Sequence, residues 1–359
     1  ATLWSRGGPR HVLRGHRAHV AGVEFFPLGD KLLTWGDDPG AIIWDTASGQ
    51  VLQELRHVGH PGAVVSCARV FPAGDRVVTC GSADSVGLVW DVGTGRLLSA
   101  LGGGESVRHV EVGPAGDRVL TVMEHSAILW DAGTAEAHCR FQHDGQSRFS
   151  SAVISPHGDR AASASNQRRA FIWSVTTCAV EHELIHSNAV MDIVFFGDGG
   201  RVATSSIDGT VRVWGVASGK VVREMERPRS WPQPPLHLLR PAQSDSDRLV
   251  GYNIGGLLLW NMTSGELRHR IGSGHQWASL GRTDGAILAT GGDILLDCRN
   301  FDGKNEVNVR SAASGQRLLT LEKAASDLGG RRPCTMAVGV GAAFDPEGFG
   351  RGFSLRQLP

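Results

Sequence analysis

The chain has 359 residues, and its 36 basic and 36 acidic side chains give a formal net charge of zero. A balanced charge gives no reason to expect a general nucleic-acid binder or a membrane-surface binder. No apolar run approaches the ~18 residues that span a bilayer. We therefore predict a soluble, intracellular protein of the cytoplasm, with no membrane insertion and no nucleic-acid partner.

Six cysteines are scattered through the chain without Cys-x-x-Cys spacing: Cys67, Cys80, Cys139, Cys178, Cys298 and Cys334. This spacing indicates neither a zinc site nor a disulfide framework. We expect most of these residues to be small buried hydrophobic side chains in a reducing compartment.

Tryptophan recurs at a nearly constant interval along the chain. The positions lie 40 to 46 residues apart, at Trp4, Trp44, Trp90, Trp130, Trp173, Trp214 and Trp260, and Val309 takes the same place in a further copy. A period of this length indicates a repeat array whose units bury their apolar faces against one another.

The first complete unit contains, in order, His16, Thr34, Asp38 and Trp44. The second unit aligns on His60, and Cys80 then stands where the first unit has a threonine. We therefore expect a weaker polar network in the second unit.

The third and fourth units keep the strand pattern but lack the polar residues of the first. Gly103 and Gly145 fall at the histidine position, and Glu124 and Gln167 fall at the aspartate position. We expect packing, more than polar contacts, to hold these two units.

The fifth unit, residues 186–219, is the most regular copy. Its β-forming runs at 190–196, 201–205 and 210–216 are separated by turns rich in Gly and Asp, and a fourth run follows at 220–225. This pattern predicts a four-stranded antiparallel sheet.

Within this unit His186, the pair Asp208-Gly209 and Trp214 resemble the WD-repeat (WD40) motif. The resemblance implies an all-β β-propeller of four-stranded blades. It also implies a buried polar network in each regular blade, since a buried indole N–H needs an acceptor. The network residues would be His186, Thr204, Asp208 and Trp214, with His16, Thr34, Asp38 and Trp44 in the first unit.

The chain ends read as parts of one further unit. Residues 1–15 supply its last two strands and residues 333–359 its first strands, and pairing them would close the ring and remove open sheet edges. We predict a single domain over 1–359 with eight blades, and seven blades is the alternative. The period is interrupted by a Pro-rich insertion at 226–247, placed as a surface loop or a distorted first strand, and by a second insertion at 293–304.

One enzyme motif, His-Glu-x-x-His at 182–186, matches the zinc-metalloprotease pattern. That chemistry needs a helix to bring both imidazoles to one face. Here the residues alternate as a fourth strand, where positions four apart are separated by roughly 13 Å. We therefore predict no metal site, no catalytic residue and no cofactor.

The resemblance implies that partners bind the face formed by loops from fourth to first strands and from second to third strands. These loops carry Arg108, Arg148, Arg168 and Arg169, which suit an acidic or phosphorylated peptide. Solvated loop charges are the alternative interpretation.

Three tryptophans lie off the repeat pattern. Trp231 and Trp277 are candidate exposed anchors for a protein partner, because exposed Trp often contributes interface energy. A loop Trp that covers its own domain is the alternative. Trp35 is expected between blades.

The resemblance implies a non-catalytic scaffold for protein–protein interaction, within a larger complex. Two alternatives stay open: an enzymatic or small-ligand-binding propeller with a central-channel site, and the sensor domain of a longer signalling protein. The first-strand starts carry mostly Val, Ser, Arg and Asn, which favours the scaffold, although a fold alone does not establish a function.

Overall fold

The computed structural model describes residues 2–5, 8–57, 64–81, 85–102, 104–143, 147–226, 236–239, 248–253, 256–262, 264–271, 286–288, 294–301, 304–311 and 316–323. These ranges contain thirty β-strands, numbered β1 to β30 in chain order. None of their elements is a helix long and apolar enough to cross a membrane.

The strands form one two-stranded sheet and seven four-stranded sheets, named I to VII. The two-stranded sheet has β1 (Thr2–Ser5) and β2 (Gly8–Val12). Sheet I has β3 (Val20–Phe25), β4 (Lys31–Gly36), β5 (Gly40–Asp45) and β6 (Val51–Arg56). Sheet II has β7 (Val65–Val70), β8 (Arg76–Gly81), β9 (Val86–Asp91) and β10 (Leu97–Gly102). Sheet III has β11 (His109–Val112), β12 (Arg118–Val122), β13 (Ser126–Asp131) and β14 (Ala137–Gln142).

The remaining sheets follow the same order along the chain. Sheet IV has β15 (Phe149–Ile154), β16 (Arg160–Ser165), β17 (Arg169–Ser174) and β18 (Val180–Ile185). Sheet V has β19 (Val190–Phe195), β20 (Arg201–Ser206), β21 (Thr210–Gly215) and β22 (Val221–Glu226). Sheet VI has β23 (His237–Leu239), β24 (Arg248–Asn253), β25 (Gly256–Asn261) and β26 (Leu267–Ile271). Sheet VII has β27 (Ala286–Leu288), β28 (Ile294–Phe301), β29 (Lys304–Ser311) and β30 (Arg317–Lys323).

Within each four-stranded sheet, consecutive strands pair antiparallel, and in sheets I to VI the repeat tryptophan sits at a fixed point of the third strand. In sheet VII this point is held by Arg310 and not by Val309. In sheet V, Trp214 pairs with Val202 on one side and with Val221 on the other. The register shifts beside this tryptophan, and it does so again beside Trp44 and Trp130. The predicted all-β propeller architecture of four-stranded sheets is confirmed.

Apolar clusters hold neighbouring sheets together. Leu33, Trp35 and Ile43 of sheet I share one buried cluster with Val77 and Trp90 of sheet II. Similar clusters join sheets II and III, III and IV, IV and V, and V and VI. Fully burying one such aliphatic side chain stabilises the fold by roughly 1.5–3 kcal/mol. The sheets therefore stabilise one another, and none of them is an independent unit.

The prediction of a second insertion at 293–304 is wrong for most of that stretch. Residues 294–301 form β28, whose pairing with β29 runs from Ile294 opposite Ser311 to Phe301 opposite Lys304. The polar second half of this stretch resembles a loop in composition, but cross-strand pairing outweighs such weak propensity. In the first predicted insertion, at 226–247, residues 237–239 form the short first strand of sheet VI.

The number of blades depends on the chain ends. The structure contains seven four-stranded sheets and the two-stranded sheet of β1 and β2. The strands predicted to complete that last sheet, at 333–359, lie outside the described residues. Ring closure and the choice between eight and seven blades therefore stay predictions.

Candidate protein-interaction face

A chain of hydrogen bonds crosses sheet V beneath its loops. Trp214 Nε1 donates to Thr204 Oγ1 at 2.8 Å, and that hydroxyl lies 2.7 Å from His186 Nε2. Asp208 Oδ2 lies 3.1 Å from His186 Nδ1. The structure thus brings the four side chains named from the sequence into one continuous network.

Burial sets the protonation of this network. Burial lowers the pKa of His186, and the neighbouring Asp208 carboxylate offsets this only in part. Burial alone would raise the pKa of Asp208, but hydrogen bonds from Thr210 and the adjacent imidazole hold it well below its ordinary range. The ring is therefore neutral at pH 7, so Nδ1–H donates to Asp208 and Nε2 accepts from the Thr204 hydroxyl.

The carboxylate of Asp208 also fixes the backbone of both loops on this side of the sheet. It accepts the backbone N–H of Ser187, in the loop before β19, at 3.1 Å. It also accepts the backbone N–H of Thr210, at the start of β21, at 2.9 Å. The buried network therefore holds the two loops that the resemblance assigned to partner binding.

Sheet I contains the same arrangement. His16 Nδ1 lies 2.6 Å from Asp38 Oδ2, and His16 Nε2 lies 2.7 Å from Thr34 Oγ1. Trp44 Nε1 donates to the same hydroxyl at 2.8 Å. Asp38 again accepts a loop backbone N–H, from Arg17 at 3.0 Å.

The polar network of sheet II is formed by residues other than those predicted from the sequence. Trp90 Nε1 donates to Thr79 Oγ1 at 2.8 Å, and His57 Nε2 lies 2.8 Å from that hydroxyl. The alignment on Cys80 is wrong, because a one-residue slip along a strand moves a side chain to the opposite face. His60 lies outside the described residues, and its predicted role belongs to His57.

Sheet IV repeats this correction. Trp173 Nε1 donates to Ser163 Oγ at 2.8 Å, and His143 Nε2 lies 2.8 Å from the same oxygen. The histidine position is therefore held by His143 and not by Gly145. Sheet IV thus has a Trp–Ser–His network that the alignment on Gly145 missed, while Gln167 still stands at the aspartate position.

Sheet III has only part of the network. Trp130 Nε1 donates to Thr121 Oγ1 at 2.8 Å, as in the other sheets. The loops are joined instead by Glu105, which accepts the backbone N–H of His125 at 3.1 Å and lies 3.4 Å from the Ser126 hydroxyl. In sheet III the linking carboxylate therefore comes from the loop before the first strand, whereas in sheets I and V it comes from the loop between the second and third strands.

The His-Glu-x-x-His stretch lies on β18 and in the turn that follows it. The ring of His182 packs against Gly219 of sheet V, where an added Cβ would lie 2.6 Å from it. His186 is buried in the sheet V network. The two imidazoles thus have separate packing roles and lack the helical arrangement that a metalloprotease site requires.

Arginines from sheets III and IV meet on the loop face. Arg108 Nη2 lies 3.0 Å from Glu124 Oε2, and Arg148 Nε lies 2.8 Å from Glu124 Oε1. One carboxylate therefore faces two guanidinium groups. The backbone N–H of Arg148 donates to Asn166 Oδ1 at 2.9 Å, which fixes the loop that carries this arginine.

The other two predicted arginines differ from each other. Arg168 is exposed in the loop before β17, and within the described ranges its side chain has no ion pair. Arg169 begins β17 and pairs with Glu183 of the outer strand at 3.0 Å. The basic surface therefore comprises Arg108, Arg148 and Arg168. Trp231 and Trp277 lie outside the described residues.

The first strands of sheets I to VI line a cavity of about 530 Å³. Its wall contains three carboxylates that sequence reading did not group, Glu24, Glu111 and Asp192. They accept backbone N–H groups of the following sheet, from Val70 at 3.3 Å, Ile154 at 3.3 Å and Leu238 at 3.0 Å. The carboxylates thus tie neighbouring first strands together. An acidic residue within an otherwise apolar first strand was the signal available in the sequence.

Four cysteines form disulfides, so the prediction of small reduced thiols is wrong for them. Cys67 and Cys80 are joined across β7 and β8, and Cys139 of β14 is joined to Cys178 in the β17–β18 turn. Strand register and contact between sheets decide these pairs, and spacing along the chain does not show either. The side chains of Cys298 and Cys334 lie outside the described residues.

The repeating sheet and its Trp–Thr–His network have a counterpart among known families. A family model described as "WD domain, G-beta repeat" matches residues 49–91 and 179–215, the second of which covers the sheet V network. These two segments are thus similar to the repeats of the WD-repeat family. The motif resemblance in the sequence is thereby confirmed.

Relatives of this chain include two proteins named as subunits. The guanine nucleotide-binding protein subunit beta of Nicotiana tabacum is 27% identical over 321 residues, which are 81% of this chain and 84% of that protein. Eukaryotic translation initiation factor 3 subunit I of Pyricularia oryzae is 31% identical over 115 residues, 32% of each chain.

Among solved structures, the chain resembles the crystal structure of the computationally designed Ika8 protein. The TM-score is 0.69 at 21% identity, and the match covers 89% of this chain and 90% of that one. A likeness at this identity supports the fold alone.

Proposed function

We propose that this chain is a non-catalytic scaffold that binds protein partners through the loop face of sheets III and IV. The observation that carries the proposal is the basic surface of Arg108, Arg148 and Arg168, placed on loops that buried networks hold in position. A preorganised face loses little conformational entropy on binding, so its contacts contribute more fully to affinity.

An acidic or phosphorylated peptide is the partner chemistry that this surface favours. Glu124 is the one carboxylate in ion-pair contact with Arg108 and Arg148 among the described residues. The Arg148 side chain is 60% exposed despite that pair. A phosphate or carboxylate from a partner can therefore reach Arg148 and Arg168 and form charge-assisted, bidentate hydrogen bonds.

We also propose that the chain is one component of a larger assembly. The tobacco and fungal relatives are both named as subunits, which supports this placement. A cytoplasmic location remains a prediction, and the two disulfides argue against it because disulfides persist mainly in oxidising compartments.

A peptide array with neutral, acidic and phosphorylated peptides tests the proposed chemistry. The double variant Arg148→Glu/Arg168→Glu should lose acidic and phosphorylated peptides by at least about tenfold, since two attractive charges become repulsive. Arg96→Glu is the matched control, because Arg96 is exposed in the β9–β10 turn on the opposite face. Peptide binding that survives in the double variant would refute the assignment of this surface.

A further inference from the structure

The turns between third and fourth strands pack against the outer strand of the preceding sheet, and one turn residue has a positive φ. Glycine holds this position in four sheets, at φ of 72°, 68°, 62° and 77° for Gly49, Gly95, Gly219 and Gly265. An added Cβ would lie 2.6 Å from His182 at Gly219, and 2.7 Å from Arg223 at Gly265. Glycine thus makes room for a long side chain from the preceding sheet.

Sheet IV departs from this rule. Cys178 occupies the turn position with a φ of 59°, a conformation that is unfavourable for a residue with a side chain. The outer-strand residue at the corresponding register is Cys139, opposite Leu129 just as His182 is opposite Ile172. A short side chain on the outer strand therefore allows a sulfur to stand where the other turns need glycine.

Ala135 shows that space alone does not require a cysteine here. It has a φ of 60° at the same turn position of sheet III. The outer-strand residue at the corresponding register is Ser99, opposite Val89. Alanine thus satisfies the same geometry beside a small partner, so the sulfur of Cys178 calls for a chemical explanation.

A histidine completes the group at this interface. His138 Nε2 donates to Val175 O at 2.9 Å, and Cys139 Sγ lies 3.3 Å from the same carbonyl. Cys178 Sγ lies 3.4 Å from the carbonyl of His138. One ligand atom from each of His138, Cys139 and Cys178 lies within 4.8 Å of the other two. In the described ranges this is the one group of three such ligands.

We propose that His138, Cys139 and Cys178 form a redox-gated site for a thiophilic divalent cation such as Zn²⁺. A dithiol reductant supplies two electrons and two protons to the Cys139–Cys178 bond, which breaks into two thiols while the reductant becomes a disulfide. Zn²⁺ then displaces both thiol protons to solvent and binds two thiolates and one imidazole nitrogen, with water as the fourth ligand.

The geometry at the site allows both the Cys139–Cys178 disulfide and the zinc-bound pair of thiolates. Two thiolates on a tetrahedral zinc lie about 3.8 Å apart, given Zn–S bonds of ~2.3 Å. The Cα atoms of the two cysteines are 5.4 Å apart, so side-chain rotation can bring about this separation. The hydrogen bond to Val175 holds the His138 ring beside both sulfurs, as outer-shell carbonyls do in known metal sites. The oxidised and metal-bound forms exclude each other, because the disulfide leaves no thiolate.

Cobalt(II) absorption spectroscopy of the full chain tests this site, because thiolate-to-cobalt charge transfer appears only when sulfur binds the ion. The reduced protein should show the band and the oxidised protein should not. Cys178→Gly should abolish it, and this variant has the residue that four other turns use. His138→Ala should weaken cobalt binding by more than about 100-fold, since the loss of an outer-shell group costs only about 10–100-fold.

The double variant Cys67→Ser/Cys80→Ser is the matched control, since it removes a disulfide that has no third ligand beside it among the described residues. It should keep the full band after reduction. A reduced wild type without the band would overturn the proposal. A band of equal strength in Cys178→Gly would overturn it too, because the ion would then be bound by other cysteines.

Discussion

Replacing Thr204 with valine removes one hydroxyl from the centre of the sheet V network while nearly keeping the shape of the side chain. Thr204 is fully buried, and its Oγ1 accepts from Trp214 and contacts His186. Valine leaves both the indole N–H and the imidazole Nε2 without a partner. An unsatisfied buried polar group costs roughly 1–3 kcal/mol, so the two together should lower the unfolding free energy by about 2–6 kcal/mol.

Thr121→Val is the matched control for this prediction. Thr121 is also fully buried and accepts from Trp130, but no histidine of the described ranges contacts it. Its replacement leaves a single buried group unpaired, so the expected loss is about 1–3 kcal/mol. The difference between the two variants isolates the contribution of His186.

Urea unfolding followed by tryptophan fluorescence and by far-ultraviolet circular dichroism measures both losses, with an unchanged m-value as the check on a common unfolded state. Thr204→Ser, which keeps the hydroxyl, should recover most of the stability. The reasoning would be refuted if Thr204→Val cost no more than Thr121→Val.

Three further predictions concern the corrected networks and the turns. His57→Ala should lower the urea midpoint clearly more than His60→Ala, since His57 contacts the buried hydroxyl of sheet II. Equal effects of the two variants would contradict the assignment of His57 to this network. The unfolding free energy should fall from pH 7 to 5, because the pKa of His186 is lowered from 6.5 and the unfolded chain takes up a proton that the folded chain excludes. It should fall again below pH 4, because Asp208, whose pKa is lowered from 3.8, takes up a proton in the unfolded chain while the folded carboxylate stays ionised. Asp208→Asn should reduce this second fall without abolishing it, since the pKa values of Asp91 and Asp131 are lowered too; a wild-type curve flat in both windows would contradict the assignment. Gly219→Ala should lower the thermal midpoint, because φ is 62° and the added Cβ would lie 2.6 Å from an imidazole; an unchanged midpoint would show that this contact relaxes freely.

The sequence was most informative where periodicity follows the strands. Trp214 and Trp44 occupy equivalent strand positions, so their spacing predicted the third strand of each sheet and the network of the regular units. The errors arose in the loops before first strands, whose lengths vary between units. His57 and His143 were missed there, because alignment on a loop carries no periodic signal while strand register decides which residue reaches the hydroxyl.

Contacts between sheets were beyond the reach of a single sequence. Cys139 and Cys178 are 39 residues apart and meet only because one sheet's turn packs on its neighbour's outer strand. The same applies to Glu124, which is an ordinary loop residue until Arg108 and Arg148 from two sheets converge on it. Such pairs depend on packing in three dimensions, which repeat length alone does not specify.

Affinity purification of the tagged chain from its native source, followed by quantitative mass spectrometry, tests the scaffold claim most directly. The wild type, Arg148→Glu/Arg168→Glu and Arg96→Glu would be compared side by side. We expect a defined set of partner proteins with the wild type and with Arg96→Glu, and loss of that set with the double variant. The same partners on all three proteins would contradict the assigned face, and a wild type without partners above background would contradict the scaffold itself.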